Sequence, residues 1–264
     1  MSRTLERLEN LQQCFSERND PGFADEDTEK VFFARVGNLF HVQFYGSPFD
    51  ESYDDFLQLL SDREVAAELK SIVFSGPDEG ANGTRNWDLT KLLDGGAEFP
   101  RLTSFTIEST ALEHHNRTIV ASDYDEGGQI ARLLAMMPQV RCLAVPSAPN
   151  AEFFELGSRP LVSLRVDSGY DHQNFIYNLS QSSSFPNLRV LDFGDYNEMY
   201  MDDYLELCTP FEHYLGAFRS PAFRSIRVCR LRNPALSADQ LKQLHSLRRD
   251  ISLTVIRTES DFVR

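Results

Sequence analysis

Phe99-Pro100-Arg101-Leu102-Thr103-Ser104-Phe105-Thr106-Ile107 and Phe185-Pro186-Asn187-Leu188-Arg189-Val190-Leu191-Asp192-Phe193 are one phrase written twice. Each has an apolar residue, two variable ones, an apolar, one variable and an apolar, all preceded by proline. Looser copies run Leu69 to Ile72 and Phe74, Val140 to Leu143 and Val145, Leu161 to Leu164 and Val166, and Phe223 to Ile226 and Val228. Alternation with period two predicts a strand whose apolar side chains face a core while the intervening ones face away. Proline before the strand suits the exit from a helix, because it cannot extend one and biases its predecessor to extended geometry.

The anchors at 69, 102, 140, 161, 188 and 223 are separated by 33, 38, 21, 27 and 35 residues. Within the spacers, helical patterns occur at 87–93, 130–137, 153–156, 175–179, 204–218 and 241–247. Each unit is therefore expected to run strand, loop, helix, loop. One such strand cannot bury its apolar face alone, so neighbouring units must stack.

Six copies of this phrase resemble the leucine-rich-repeat superfamily, most closely its irregular bacterial cytoplasmic members of ribonuclease-inhibitor-like layout. The resemblance implies an α/β solenoid with a curved parallel sheet and helices on the convex side. It covers residues 65–256, with 1–64 as an N-terminal helix and hairpin cap carrying a first repeat, and 257–264 as a tail. The chain departs from the family where asparagine or cysteine should follow the strand: Pro77, Thr110, Ala148, Gly169, Tyr196 and Leu231 stand there. An asparagine ladder is thus absent, and a less regular arc is expected.

The ends read as caps. Leu5, Leu8, Leu11 and Phe15 mark an amphipathic helix, and residues 31–36 and 39–44 flank Gly37-Asn38 as a hairpin. Residues 251–256 read as the last strand.

The 264-residue chain has a formal net charge of −14. Residues 219–264 hold ten Lys/Arg and four Asp/Glu, a balance of +6 that leaves −20 for residues 1–218. An acidic chain argues against general binding to phosphate backbones and favours a basic protein partner. The charged N-terminus and lack of a long apolar run predict neither membrane span nor secretion signal, hence a cytoplasmic protein with four reduced cysteines.

If the strand register is right, the face away from the core is lined by variable positions, and the expected partner-binding set follows. It comprises Tyr45, Glu108, Arg165, Asp167, Tyr170, Asp171, Asp192, Asp195, Tyr196, Glu198, Arg227 and Arg230. Acidic side chains mixed with tyrosines suit a Lys/Arg-rich partner; ordinary polar turns give the same composition. Arg219, Arg224, Arg227, Arg230 and Arg232 form a second charge feature, with Arg165 and Arg227 expected to pair with Asp167 and Asp192 across strands.

His114-His115 with Glu113, and Asp123, Asp125 and Glu126, lack the spacing of a metal site, and Gly127-Gly128 reads as a helix start. The expectation is a protein-binding module without catalytic residues, metal or cofactor, acting as an inhibitor or immunity-type neutralising protein. An enzyme or ligand sensor using the charged cluster at 165–198, or an architectural subunit, are the alternatives.

Overall fold

The computed structural model describes residues 3–18, 29–78, 84–109, 111, 117–122, 125–196 and 204–257. Helix α1 (Arg3–Arg18) precedes a hairpin of β1 (Lys30–Val36) and β2 (Leu39–Tyr45), turned at Gly37 with φ +66°. Then follow α2 (Glu51–Leu60), α3 (Arg63–Glu68), β3 (Leu69–Ser75), β4 (Thr84–Asn86), α4 (Thr90–Asp94), β5 (Ser104–Ile107) and β6 (Arg117–Ile119). The second half runs α5 (Gln129–Met136), β7 (Cys142–Val145), a 3-10 turn (Ala151–Glu155), β8 (Ser163–Asp167), α6 (Phe175–Gln181) and β9 (Val190–Gly194). It ends with α7 (Tyr204–Leu207), α8 (Phe211–Arg219), a second 3-10 turn (Pro221–Ser225), β10 (Val228–Arg232), α9 (Ala238–Leu247) and β11 (Ser252–Ile256).

Among the described residues nine strands form one sheet in the order β1-β2-β3-β5-β7-β8-β9-β10-β11. Only the β1–β2 hairpin is antiparallel; every later pair in this sheet is parallel, and each strand is laid down beside its predecessor. The phrase explains the arrangement. Leu102, Phe105 and Ile107, like Leu188, Leu191 and Phe193, are at most 1% exposed. They join a single core with Phe56, Leu92, Ile130, Phe175 and Tyr214 of the helices. Phenylalanine fills much of this interior: Phe44 stacks on Phe56 at 5.2 Å, and Phe74 contacts Phe105 and Trp87 at 5.6 Å. Each ring removed from water contributes about 2 kcal/mol.

The final repeat lies three residues later than the sequence reading placed it. Cys229 pairs in register with Leu191, and Leu231 with Phe193. The anchors are thus Ile226, Cys229 and Leu231, all at most 1% exposed, whereas Val228 is half-buried on the other side. Cysteine serves here as a small apolar side chain. At the start of the sheet, Phe40 and not Leu39 packs inward, accommodated by a register shift between Phe40 and His41.

Three predicted helices also need correction, and the one expected at 153–156 is a 3-10 turn over Ala151–Glu155. The pattern at 204–218 is interrupted before Pro210, which opens α8 with extended backbone at ψ 147°. Trp87 and Leu89 precede α4; the Trp87 N–H donates to Ile119 O at 2.9 Å, continuing a two-stranded parallel ribbon of β4 and β6. Trp87 is nonetheless core, at 1% exposure. The Gly127-Gly128 start of α5 is present, with φ +58° and +77°.

At the trailing, C-terminal edge of the strands, hydroxyls satisfy backbone groups. Ser75 Oγ donates to Phe44 O at 3.1 Å, Ser168 Oγ donates to Gly194 O at 2.8 Å, and Ser147 Oγ accepts from Val120 N at 2.8 Å. These short side chains take up buried donors and acceptors that would otherwise cost free energy. Among the described residues no helix is long and apolar enough to cross a membrane.

Candidate interaction face of the sheet

Alternation leaves one sheet face outside the core. Its central row runs Phe32, Gln43, Val73, Thr106, Ala144, Arg165, Asp192, Arg230 and Thr254. Except for Asp192, these side chains are half-buried or exposed. A parallel row, His41, Ser71, Ser104, Cys142, Ser163, Val190, Val228 and Ser252, consists mostly of small residues. The face is accordingly shallow, with larger charged groups rising from its C-terminal half. His41 Nδ1 lies 2.7 Å from Ser71 Oγ on this surface. Nucleophilic activation also needs a group that orients the base; among the described residues none bonds the other imidazole nitrogen.

Charge at the trailing edge is organised by Arg232, which the sequence reading assigned no partner. Its Nε donates to Asp192 Oδ1 at 2.7 Å, its Nη1 pairs with Asp167 Oδ1, and its Nη2 reaches Val166 O at 3.4 Å. Ser109 Oγ donates to the second oxygen of Asp167. Gly194 lies between the partners: a Cβ there would stand 2.4 Å from Asp167 Oδ1 and 2.8 Å from Arg232 Nη1. The expected cations, Arg165 and Arg227, do not fill this role. Arg227 pairs with Asp250 at 3.3 Å, and Arg165 is exposed with no described carboxylate within 4 Å. The register shift explains the exchange, because it brings Arg230 opposite Asp192 and Arg232 opposite Gly194. Arg230 itself approaches Asp192 only to 3.9 Å.

Asp195 does not stand on the sheet face either. It is 7% exposed and accepts from Thr209 N at 2.9 Å, Tyr196 N at 3.0 Å and Tyr214 Oη at 3.1 Å, tying β9 to the start of α8. Burial and this carboxylate push the Tyr214 phenol well above its ordinary pKa. Tyr196 is 5% exposed, and burial raises its phenol as well. The Arg117 guanidinium lies over two rings, 5.4 Å from the centroid of Tyr170 and 5.6 Å from that of Tyr196, a doubled cation–π contact. It also donates to Gly169 O, and Tyr170 Oη bonds Thr84 Oγ1. Arg232 thus joins aspartates of neighbouring strands and Arg117 the tyrosines of the loops that follow, and these make up the polar lattice of the trailing edge. Their roles depend on β6 and on the register of β10.

Beside this lattice opens a cleft of about 520 Å³, lined by residues that include Val120, Glu126, Ser147, Tyr170 and Asp171. Glu126 at its wall accepts from Ile130 N at 2.6 Å and Gly128 N at 3.0 Å, capping α5. Burial outweighs those bonds and raises its carboxyl above the ordinary range. Among the described residues no three His, Cys, Asp or Glu converge as a metal site.

Of the other predicted residues, Glu108 and Asp171 are exposed, Tyr170 is half-buried, and Tyr45 is half-buried with Lys30 Nζ 5.8 Å from its ring centroid. Asp167 and Asp192 belong to the Arg232 lattice. Glu198, Glu113, His114, His115, Thr110 and Asp123 lie outside the described residues. No protein family, curated protein or solved structure matches the chain.

Proposed function

We propose that the chain is a protein-interaction module, an irregular leucine-rich-repeat solenoid that grips a macromolecular partner on the open sheet face and its trailing-edge loops. The observation that carries this reading is the sheet itself: nine strands with one face packed on helices and the other lined by half-buried and exposed variable side chains. Broad, shallow surfaces of this kind suit recognition of a macromolecular partner.

Charge supports a basic partner. The chain carries −14 overall, and Glu108, Asp171 and the half-buried Tyr170 stay accessible where Asp167, Asp192 and Asp195 are held internally. An acidic field speeds encounter with such a partner. Neutralising a basic toxin or nuclease in a reducing cytoplasm is one task that these features fit.

The test is affinity capture at low and moderate salt with the wild type, a Glu108→Lys/Asp171→Lys variant, and Glu212→Lys on the exposed side of α8. A stoichiometric basic protein retained by the wild type and by Glu212→Lys, but lost from the double variant, is the expected result. Loss only with Glu212→Lys would transfer the binding surface to the helices.

A further inference from the structure

The leading, N-terminal edge of the open sheet has the opposite charge. One residue before each strand's open-face position, Lys70, Thr103, Arg141, Val162, Arg189 and Arg227 form a continuous row. Each N–H in this row donates to the carbonyl of the preceding member at 2.8 to 3.0 Å. Lys70, Arg141 and Arg189 therefore recur on alternate positions. None of these three has a carboxylate within 4 Å among the described residues, and Arg141 and Arg189 are exposed. Arg227, the fourth cation, is engaged by Asp250 at 3.3 Å. Two shallow grooves accompany the free cations: one of about 280 Å³ at Lys70, Thr103 and Arg141, and one of about 570 Å³ at Arg141, Pro160 and Arg189.

We propose that this edge is a second binding site, for an extended acidic segment of a protein with carboxylates three residues apart. Strands lie roughly 4.8 Å from their neighbours, so cations on every second strand recur at ~9.6 Å. A chain in polyproline II geometry returns to the same face every three residues, a rise of about 9.3 Å. An acidic residue at each third position would thus meet Lys70, Arg141 and Arg189 in turn, while the residues between lie over Thr103 and Val162. Guanidinium groups favour carboxylates through paired hydrogen bonds. Nucleic acid fits less well, because the phosphates of a duplex strand recur about every 3.4 Å of helix axis, out of step with cations spaced at ~9.6 Å. This site goes beyond the acidic surface for a basic partner and stands whether or not that reading holds.

Fluorescence anisotropy on the full chain tests it, using a labelled peptide of Glu-Pro-Pro triplets, a Lys-Pro-Pro peptide, a peptide with the same glutamates clustered, and single-stranded DNA. Saturable binding is expected for the spaced acidic peptide, weaker binding for the clustered one and none for the basic one. Arg141→Gln/Arg189→Gln, both exposed and checked for unchanged circular dichroism, should weaken the spaced peptide by about tenfold. Equal affinity in that variant, or no binding of the spaced peptide up to about 1 mM, would overturn the site. Tighter binding of DNA that the same substitutions abolish would give the edge to nucleic acid instead. Sedimentation showing a dimer that the substitutions dissolve would make the occupant a second copy of this chain.

Discussion

The guanidinium of Arg232 on β10 pairs with the carboxylate of Asp167 on β8, reaching over the intervening strand β9 where Gly194 supplies no side chain. The same group holds Asp192 on β9. Three consecutive strands are thus joined by one cation whose side chain is only 15% exposed.

Removing it should be costly. Arg232→Met leaves Asp167 without a counter-charge and Asp192 with only Arg230 at 3.9 Å, and the expected loss is about 3 kcal/mol of unfolding free energy. Gly194→Ala should cost about 1 to 3 kcal/mol by forcing the pair apart. Urea denaturation measures both; an unchanged midpoint for Gly194→Ala would show that the pair does not cross at this glycine.

Asp195 and Asp171 are both acidic residues of trailing-edge loops, but only one is structural. Asp195→Ala strands the Thr209 N–H and the Tyr214 hydroxyl in the interior and should destabilise by about 2 to 3 kcal/mol. Asp171→Ala, at an exposed position, should stay within about 0.5 kcal/mol. Equal effects would contradict the burial assigned to Asp195.

Arg248 bonds both oxygens of Asp250, at 2.8 and 2.9 Å, and lowers its pKa to about 2. Because the folded value lies below the ordinary 3.8, the pair's contribution is complete above that value and is lost as pH falls through about 2. Titration of the Asp250 carboxyl carbon by NMR should give a midpoint near 2, returning toward 3.8 in Arg248→Ala. A wild-type midpoint near 3.8 would mean that the pair does not form in solution.

Cysteine reactivity reports on the register. Cys142 is exposed on the open face, whereas Cys229 and Cys208 are buried, and burial raises each of their thiols to about 12. A disulfide reagent should label Cys142 rapidly and reach Cys229 only on unfolding. Rapid labelling that persists in Cys142→Ser and disappears in Cys229→Ser would refute the assigned register.

Much of the sheet was legible because its anchors repeat: Leu69, Leu102, Val140, Leu161 and Leu188 are each fully buried as read. The sixth copy was misplaced because Phe223, Ile226 and Val228 satisfy the phrase as well as Ile226, Cys229 and Leu231; only pairing with β9 separates them. Helix α2 was legible, though it was not read, in Tyr53, Phe56, Leu57 and Leu60, which share one helical face. The three-residue strands β4 and β6 were not, since such short segments with Arg85 and Thr118 at their centres carry no alternation signal. Which carboxylates remain available was equally hidden: Asp195 is buried through contacts with Thr209 and Tyr214, and local composition does not encode these.

The binding reading rests on the open face, and Cys142 sits in it. The rate of thiol labelling at Cys142, compared between the isolated chain and the chain bound to its captured partner, tests that reading most directly. Protection by about tenfold or more, while an introduced cysteine at Glu212 on α8 keeps its rate, is the predicted result. Unchanged labelling of Cys142 together with protection at position 212 would contradict it.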